Sequence, residues 1–110
     1  MSFTVTVVFP NDADAQYDIN YYTKSHMVLI EKHWTKFGLQ GWSVTKYVPG
    51  LDGTPGPYSF GSDVYWKDEE AMKAAFASPE VAEIMADVAH FSNKSPVFLF
   101  GRTVKPAFEF

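Results

Sequence analysis

Three histidines, His26, His33 and His90, are the side chains of this 110-residue chain whose ordinary titration lies nearest neutral pH. His26 sits in the run Asn20 to Trp34, "NYYTKSHMVLIEKHW", whose apolar spacing is helical. With His26 at zero and 100° per residue, Phe37 falls at about 20°, Ile30 at about 40°, Trp34 at about 80° and Met27 at about 100°. His26 therefore shares the inward stripe, with Ile19 and Thr23 on the same arc, while Lys24, Val28, Glu31 and Lys32 point away. An imidazole facing a core loses hydration, which lowers its pKa and keeps it neutral at pH 7. A neutral imidazole in a pocket accepts or donates a proton, the chemistry of general acid/base catalysis. Tyr22, one turn earlier, would donate a hydrogen bond or orient a phenolic ligand. The competing expectation is a structural histidine, bonded to a backbone carbonyl or a strand side chain.

Other constellations are weaker. His26 and His33 are seven residues apart, where a helical metal pair needs four, and Glu31 faces outward, so no metal site is expected. Asp63 on a strand could orient a histidine or simply meet solvent. Arg102 could clamp a carboxylate or form an ion pair. His90 ends a helix, where the dipole favours positive charge. Gly50, Gly53 and Gly56 precede a strand rather than a helix and have no phosphate-loop spacing.

The elements that must position His26 follow from period and punctuation. Phe3, Val5, Val7 and Phe9 alternate with Thr4, Thr6 and Val8 in a first strand that Pro10 ends. Asp18 caps the His26 helix, which runs to about Phe37 before Gly38 stops it. Gly41–Val48 reads as a strand, Pro49–Pro57 as a loop, and Tyr58–Trp66 as a strand with Phe60, Ser62, Val64 and Trp66 on one face. Asp68 opens a short helix through Met72 and Phe76. Ser78 and Pro79 open another, with Val81, Ile84, Met85 and Val88 inward. "PVFLFGRTV" forms the last strand, and "KPAFEF" is an aromatic tail without evident use in a monomer. The order β-α-β-β-α(α)-β predicts an α+β, ferredoxin-like domain spanning residues 1–110, with a four-stranded antiparallel sheet and helices on one face. Apolar residues on both faces of several strands would leave a sticky surface, which a twofold dimer through the sheet faces covers.

Composition excludes several classes. Nine Lys and Arg against thirteen Asp and Glu, a net charge of −4, offer no phosphate-neutralising patch, so nucleic acid is not an expected partner. No run approaches the ~18 apolar residues of a membrane span, and the N-terminus lacks a signal pattern. The absence of cysteine removes disulfides and thiolate chemistry and suits a reducing cytoplasm. An aromatic content of 17% suits a hydrophobic small-molecule pocket or a subunit interface.

The stretch "YDINYYTKSHMVLIEK" resembles the opening helix of the EthD family, with its pattern F/YDxxYYxxxHxxL, at Tyr17, Asp18, Tyr21, Tyr22, His26 and Leu29. The likeness continues through "VYWKDEEAMKAAFASPE" and "DVAHFSNKSPVFLFG", over nearly the whole chain. The resemblance implies a homodimeric α/β barrel of two ferredoxin-like subunits. The family is named for ethyl tert-butyl ether degradation. Similar barrels include cofactor-free monooxygenases, polyketide cyclases or dehydratases, and isomerases, besides haem enzymes. The resemblance thus implies His26, with Tyr22 and Tyr21, as pocket groups. The expected enzyme takes a hydrophobic aromatic or cyclic substrate without a cofactor. His26 would be its acid/base, Tyr22 would position the substrate, and Trp34, Phe60, Trp66 and Phe98 would be apolar walls. The alternative is a non-catalytic binding or accessory protein for such a molecule or for a partner oxidase.

Overall fold

Alternation along the strands decides which face of the sheet becomes the core. In the computed structural model, which describes residues 2–107, β1 (Phe3–Pro10) buries Phe3, Val5 and Phe9 on one face. β3 (Tyr58–Trp66) pairs antiparallel with it, Val5 opposite Val64, Val7 opposite Ser62 and Phe9 opposite Phe60. β2 (Leu39–Lys46) flanks β3 and β4 (Val97–Arg102) flanks β1, giving the antiparallel order β2-β3-β1-β4. Phe9 stacks on Phe60 with centroids 4.5 Å apart and planes 2° apart. Burying an apolar side chain of that size stabilises the fold by about 1.5–3 kcal/mol. Phe108–Phe110, the end of the expected aromatic tail, lie outside the described residues.

One helical segment, α1 (residues 19–37), crosses this face between β1 and β2. The Asp18 carboxylate accepts the Tyr21 N–H at 2.9 Å, and Gly38 closes the segment at φ 111°, a left-handed conformation that glycine takes freely. Met27, Ile30 and Trp34 face inward as their spacing predicts. α2 (Glu69–Phe76) is capped by Asp68, whose carboxylate accepts the Ala71 N–H at 2.8 Å. α3 (Val81–Asp87) continues in a 3₁₀ turn, Val88–His90. The β-α-β-β-α(α)-β order and the four-stranded sheet are those expected.

Three expectations need correction. The second strand spans Leu39–Lys46 rather than Gly41–Val48, because pairing with β3 begins opposite Trp66 at Leu39. Ser78 does not cap α3 with its side chain: the hydroxyl is buried and donates back to the Ala75 carbonyl at 2.5 Å. Met85 is not buried with Ile84 but is 44% exposed, at the rim of the cavity described below.

The face of the sheet away from the helices carries Thr4, Thr6, Asp63 and Tyr65 among Val8, Val97 and Leu99, following the strand register. It is more polar than the sequence reading expects, and Thr6 donates a hydrogen bond to Asp63 across it. β4 is the apolar exception. Val97, Phe98, Leu99 and Phe100 are all exposed, two on each face, because β4 is an edge strand that the helices cover only in part, with Phe76 of α2 against Phe100. Gly61 on β3 is required where it stands, since a Cβ there would lie 2.5 Å from the Val7 carbonyl oxygen.

Candidate functional site

Regular helical spacing breaks where the chemistry sits. Tyr22–His26 forms a π-helical turn, with the Met27 N–H bonded to the Tyr22 carbonyl, five residues back. Such single wide turns recur at functional sites. Here the turn brings the Tyr22 and His26 rings into a stack, centroids 5.4 Å apart and planes 21° apart, with both residues buried.

His26 is 5% exposed, so both of its nitrogens matter. Nδ1 lies 2.9 Å from Oδ2 of Asp87 at the end of α3, and the other carboxylate oxygen of Asp87 accepts the Tyr21 hydroxyl at 2.7 Å. Nε2 has no hydrogen-bond partner among the described residues, and His26 lines a cavity. Burial pushes the His26 pKa down; the Asp87 carboxylate opposes this without cancelling it. Burial pushes Asp87 upward, but the hydrogen bonds from His26 and Tyr21 outweigh it and hold its carboxyl below the usual range. The resulting state is an ionised Asp87 receiving Nδ1–H from a neutral imidazole, which leaves the Nε2 lone pair unpaired on a residue that lines the cavity. That arrangement suits a general base.

The cavity, of about 50 Å³, lies between α1, α3 and the inner face of the sheet. A volume of that size holds a few waters. Val5, Val64, Ile84, Val88 and Phe91 make most of it apolar, and the side-chain polar groups among its lining residues belong to Tyr22, His26, Ser62, Trp34 and Trp66. The Tyr22 hydroxyl meets Ser62 Oγ at 2.6 Å, and burial pushes the phenol pKa up to about 12, so Tyr22 stays protonated. The Trp34 N–H donates to Ser78 Oγ at 3.3 Å, whereas the Trp66 N–H is buried without a partner among the described residues.

Of the residues singled out in the sequence, Tyr22, His26, Trp34, Trp66 and Phe98 line the cavity. Tyr21 and Phe60 do not. Tyr21 turns its hydroxyl to Asp87 and stacks its ring on His90 and Phe91. Phe60 is fully buried one layer behind, against Phe9, Tyr17 and Tyr22. The weaker candidates have structural partners: His33 bonds Glu83 at 2.8 Å, and Arg102 bonds Glu69 at 2.6 Å. Asp63 accepts from Thr6 on the outer face of the sheet.

Two site residues escaped sequence reasoning, Asp87 and Ser62. Both stood in plain patterns: Asp87 is adjacent to Val88 and three residues after Ile84 in the inward stripe of α3, and Ser62 is the polar residue on the inward face of β3.

No protein-family model matches the sequence. An uncharacterized 11.0 kDa protein of Rhodococcus erythropolis, from the thcB–thcC intergenic region, is 29% identical over 102 residues, covering 89% of this chain and 91% of that protein. Among solved structures, an EthD-like protein of Ralstonia eutropha superposes with a TM-score of 0.85 at 23% identity, covering 94% of this chain and 93% of its own. An ethyl tert-butyl ether degradation (EthD) family protein of Bacillus halodurans gives 0.73 at 19% identity, covering 94% and 100%. More distant likenesses include a dimeric ferredoxin-like protein of Jannaschia, at 0.65, 13% identity and coverage of 94% and 100%. The cofactor-independent oxygenase SnoaB of Streptomyces nogalater follows at 0.56 and 12% identity, covering 98% and 97%. In its fold this chain is EthD-like, in agreement with the resemblance of its opening helix.

Proposed function

We propose that this chain is a small enzyme that needs no cofactor and works by acid/base chemistry at His26 on a hydrophobic aromatic or cyclic metabolite. One observation carries the reading: Asp87 holds His26 Nδ1 while Nε2 is left unpaired beside an apolar cavity. A histidine that merely fills a core would have both nitrogens bonded or be replaced by an apolar side chain. Asp87 fixes the tautomer, and Tyr21 acts through Asp87 as a positioning residue. Tyr22 packs against the imidazole and borders the substrate, with Trp34, Trp66 and Phe98 as walls. The likeness to a cofactor-independent oxygenase of the same fold is compatible with this chemistry.

The protein works as a homodimer in this reading, and the partner covers the exposed apolar edge of β4. Dimeric neighbours of the same fold support this. Light scattering should give a mass of about twice the chain's 12.4 kDa. For the reaction, wild type and His26→Ala are screened against small cyclic ketones, lactones and phenols. Turnover present in wild type and absent in a folded His26→Ala protein is the expected result; equal turnover in the two would overturn the proposal.

The size of the cavity favours a second reading, a non-catalytic binder or accessory protein. At about 50 Å³ the space is smaller than the roughly 150 Å³ that admits a benzene ring, so a ring enters only as rim residues move. In this case ligand affinity is constant between about pH 5.5 and 7.5, because no titrating group takes part.

A further inference from the structure

Proton counting at the Tyr22–Ser62 contact leaves one hydrogen without a role. Each hydroxyl owns one proton, and a single hydrogen bond, 2.6 Å between oxygens, joins them. Whichever donates, the proton of the other remains. Neither hydroxyl makes another hydrogen bond among the described residues, and each residue is only 2% exposed. Both line the cavity that His26 lines. The Tyr22 and His26 rings are stacked, so this donor and the free Nε2 of the imidazole border the same small space.

We infer that the spare hydroxyl proton of the Tyr22–Ser62 pair anchors the carbonyl oxygen of a small cyclic ketone or related carbonyl compound, held with its α-carbon towards His26. This rests on the reading of His26 as the base. A carbonyl oxygen accepts and donates nothing, so it consumes the spare proton and creates no new unpaired donor, and it carries no charge into the apolar walls. The corresponding step is enolisation. Nε2 takes the α-proton, the C–H electron pair becomes the carbon–carbon π bond, and the carbonyl π pair moves to oxygen, where the hydroxyl stabilises the developing charge. Return of the proton from His26 to the same carbon regenerates the ketone. Return to a different carbon of a conjugated system gives an isomer. The step consumes no oxidant and no co-reactant.

The test uses the full-length protein in D₂O with cyclopentanone carrying ¹³C at the carbonyl. The infrared carbonyl stretch of the bound probe reports the hydrogen bond, and NMR follows exchange of the α-hydrogens for deuterium. The wild-type protein should bind the probe saturably, lower the stretch well below its value in hydrocarbon, and catalyse exchange. Ser62→Ala and Tyr22→Phe each keep one hydroxyl with its own proton, so both should keep the lowered stretch. The double variant should lose it, with exchange slowed on the order of 100-fold. His26→Ala should keep the lowered stretch and lose exchange.

A bound probe whose stretch in the wild-type protein matches hydrocarbon overturns the anchor, and His26-dependent exchange in that case leaves the base standing alone. A lowered stretch without exchange upholds the anchor and removes the base. Absence of saturable binding overturns the proposal.

Discussion

Replacing Asp87 by Asn keeps the shape of the site and removes its negative charge. Asp87 accepts from two donors, His26 Nδ1 at 2.9 Å and the Tyr21 hydroxyl at 2.7 Å, and its side chain is 15% exposed. Hydrogen bonds to an ionised group contribute about 1.5–3 kcal/mol where neutral ones contribute about 0.5–1.5 kcal/mol. The asparagine amide oxygen can still accept Nδ1–H while its nitrogen turns to the Tyr21 oxygen, so the expected loss of stability is about 1–2 kcal/mol. For a domain of this length that lowers Tm by roughly 4–8 °C. The effect on His26 is the sharper test. Burial pushes its pKa down and Asp87 pushes it up, so removing the carboxylate leaves burial unopposed and the pKa falls further. NMR titration of the His26 ring protons in the two proteins measures this directly. A His26 pKa unchanged or raised in Asp87→Asn would refute the Asp87–imidazole contact as the support of the site.

Three further outcomes follow from the same contacts. The folded pKa values of His26 and Asp87 are both depressed, so the stability each contributes is present above its unfolded pKa and is lost as pH falls through the folded one. Denaturation midpoints should therefore decline below about pH 6.5 with His26 and again below about pH 4 with Asp87, and His26→Gln should remove the first decline and weaken the second, because His26 is a main cause of the lowered Asp87 pKa. Tyr21→Phe deletes one donor to Asp87 and should lower the urea-unfolding midpoint, while His26→Ala turnover losses should exceed those of Tyr21→Phe. Gly61→Ala should cost about 1–3 kcal/mol, because its new Cβ meets the Val7 carbonyl oxygen at 2.5 Å in the centre of the sheet; unchanged stability would contradict the β1–β3 register.

The fold was legible because its signals are local and mutually consistent. Period-2 runs at Phe3–Phe9 and Tyr58–Trp66, caps at Asp18 and Asp68, and a stop at Gly38 each correspond to a feature of the structure. The burial of His26 was legible for the same reason. Its chemistry was not, since it depends on a residue 61 positions away in the chain. Asp87 carries an ordinary helix-surface residue type, and only the packing of α3 against α1 turns it inward. The π-turn was equally hidden, because a wheel at 100° per residue assumes the regularity that Tyr22–His26 breaks. Family resemblance points to Tyr21, and residue type to Phe60, as pocket groups, and the structure places neither on the cavity wall. A ring one position off the stripe and a ring one layer deeper cannot be distinguished from a wall without the tertiary structure. Ser78 misled as a cap because its hydroxyl is spent on Ala75 and on receiving the Trp34 N–H.

The central claim is that His26 is a neutral imidazole protonated at Nδ1 with a free Nε2 at the cavity. Long-range ¹H–¹⁵N correlation spectra of histidine-labelled protein at pH 7 distinguish the forms of the ring directly. The predicted spectrum has His26 Nδ1 in the protonated range and Nε2 in the unprotonated range; an Nε2–H tautomer or a fully protonated ring would contradict it.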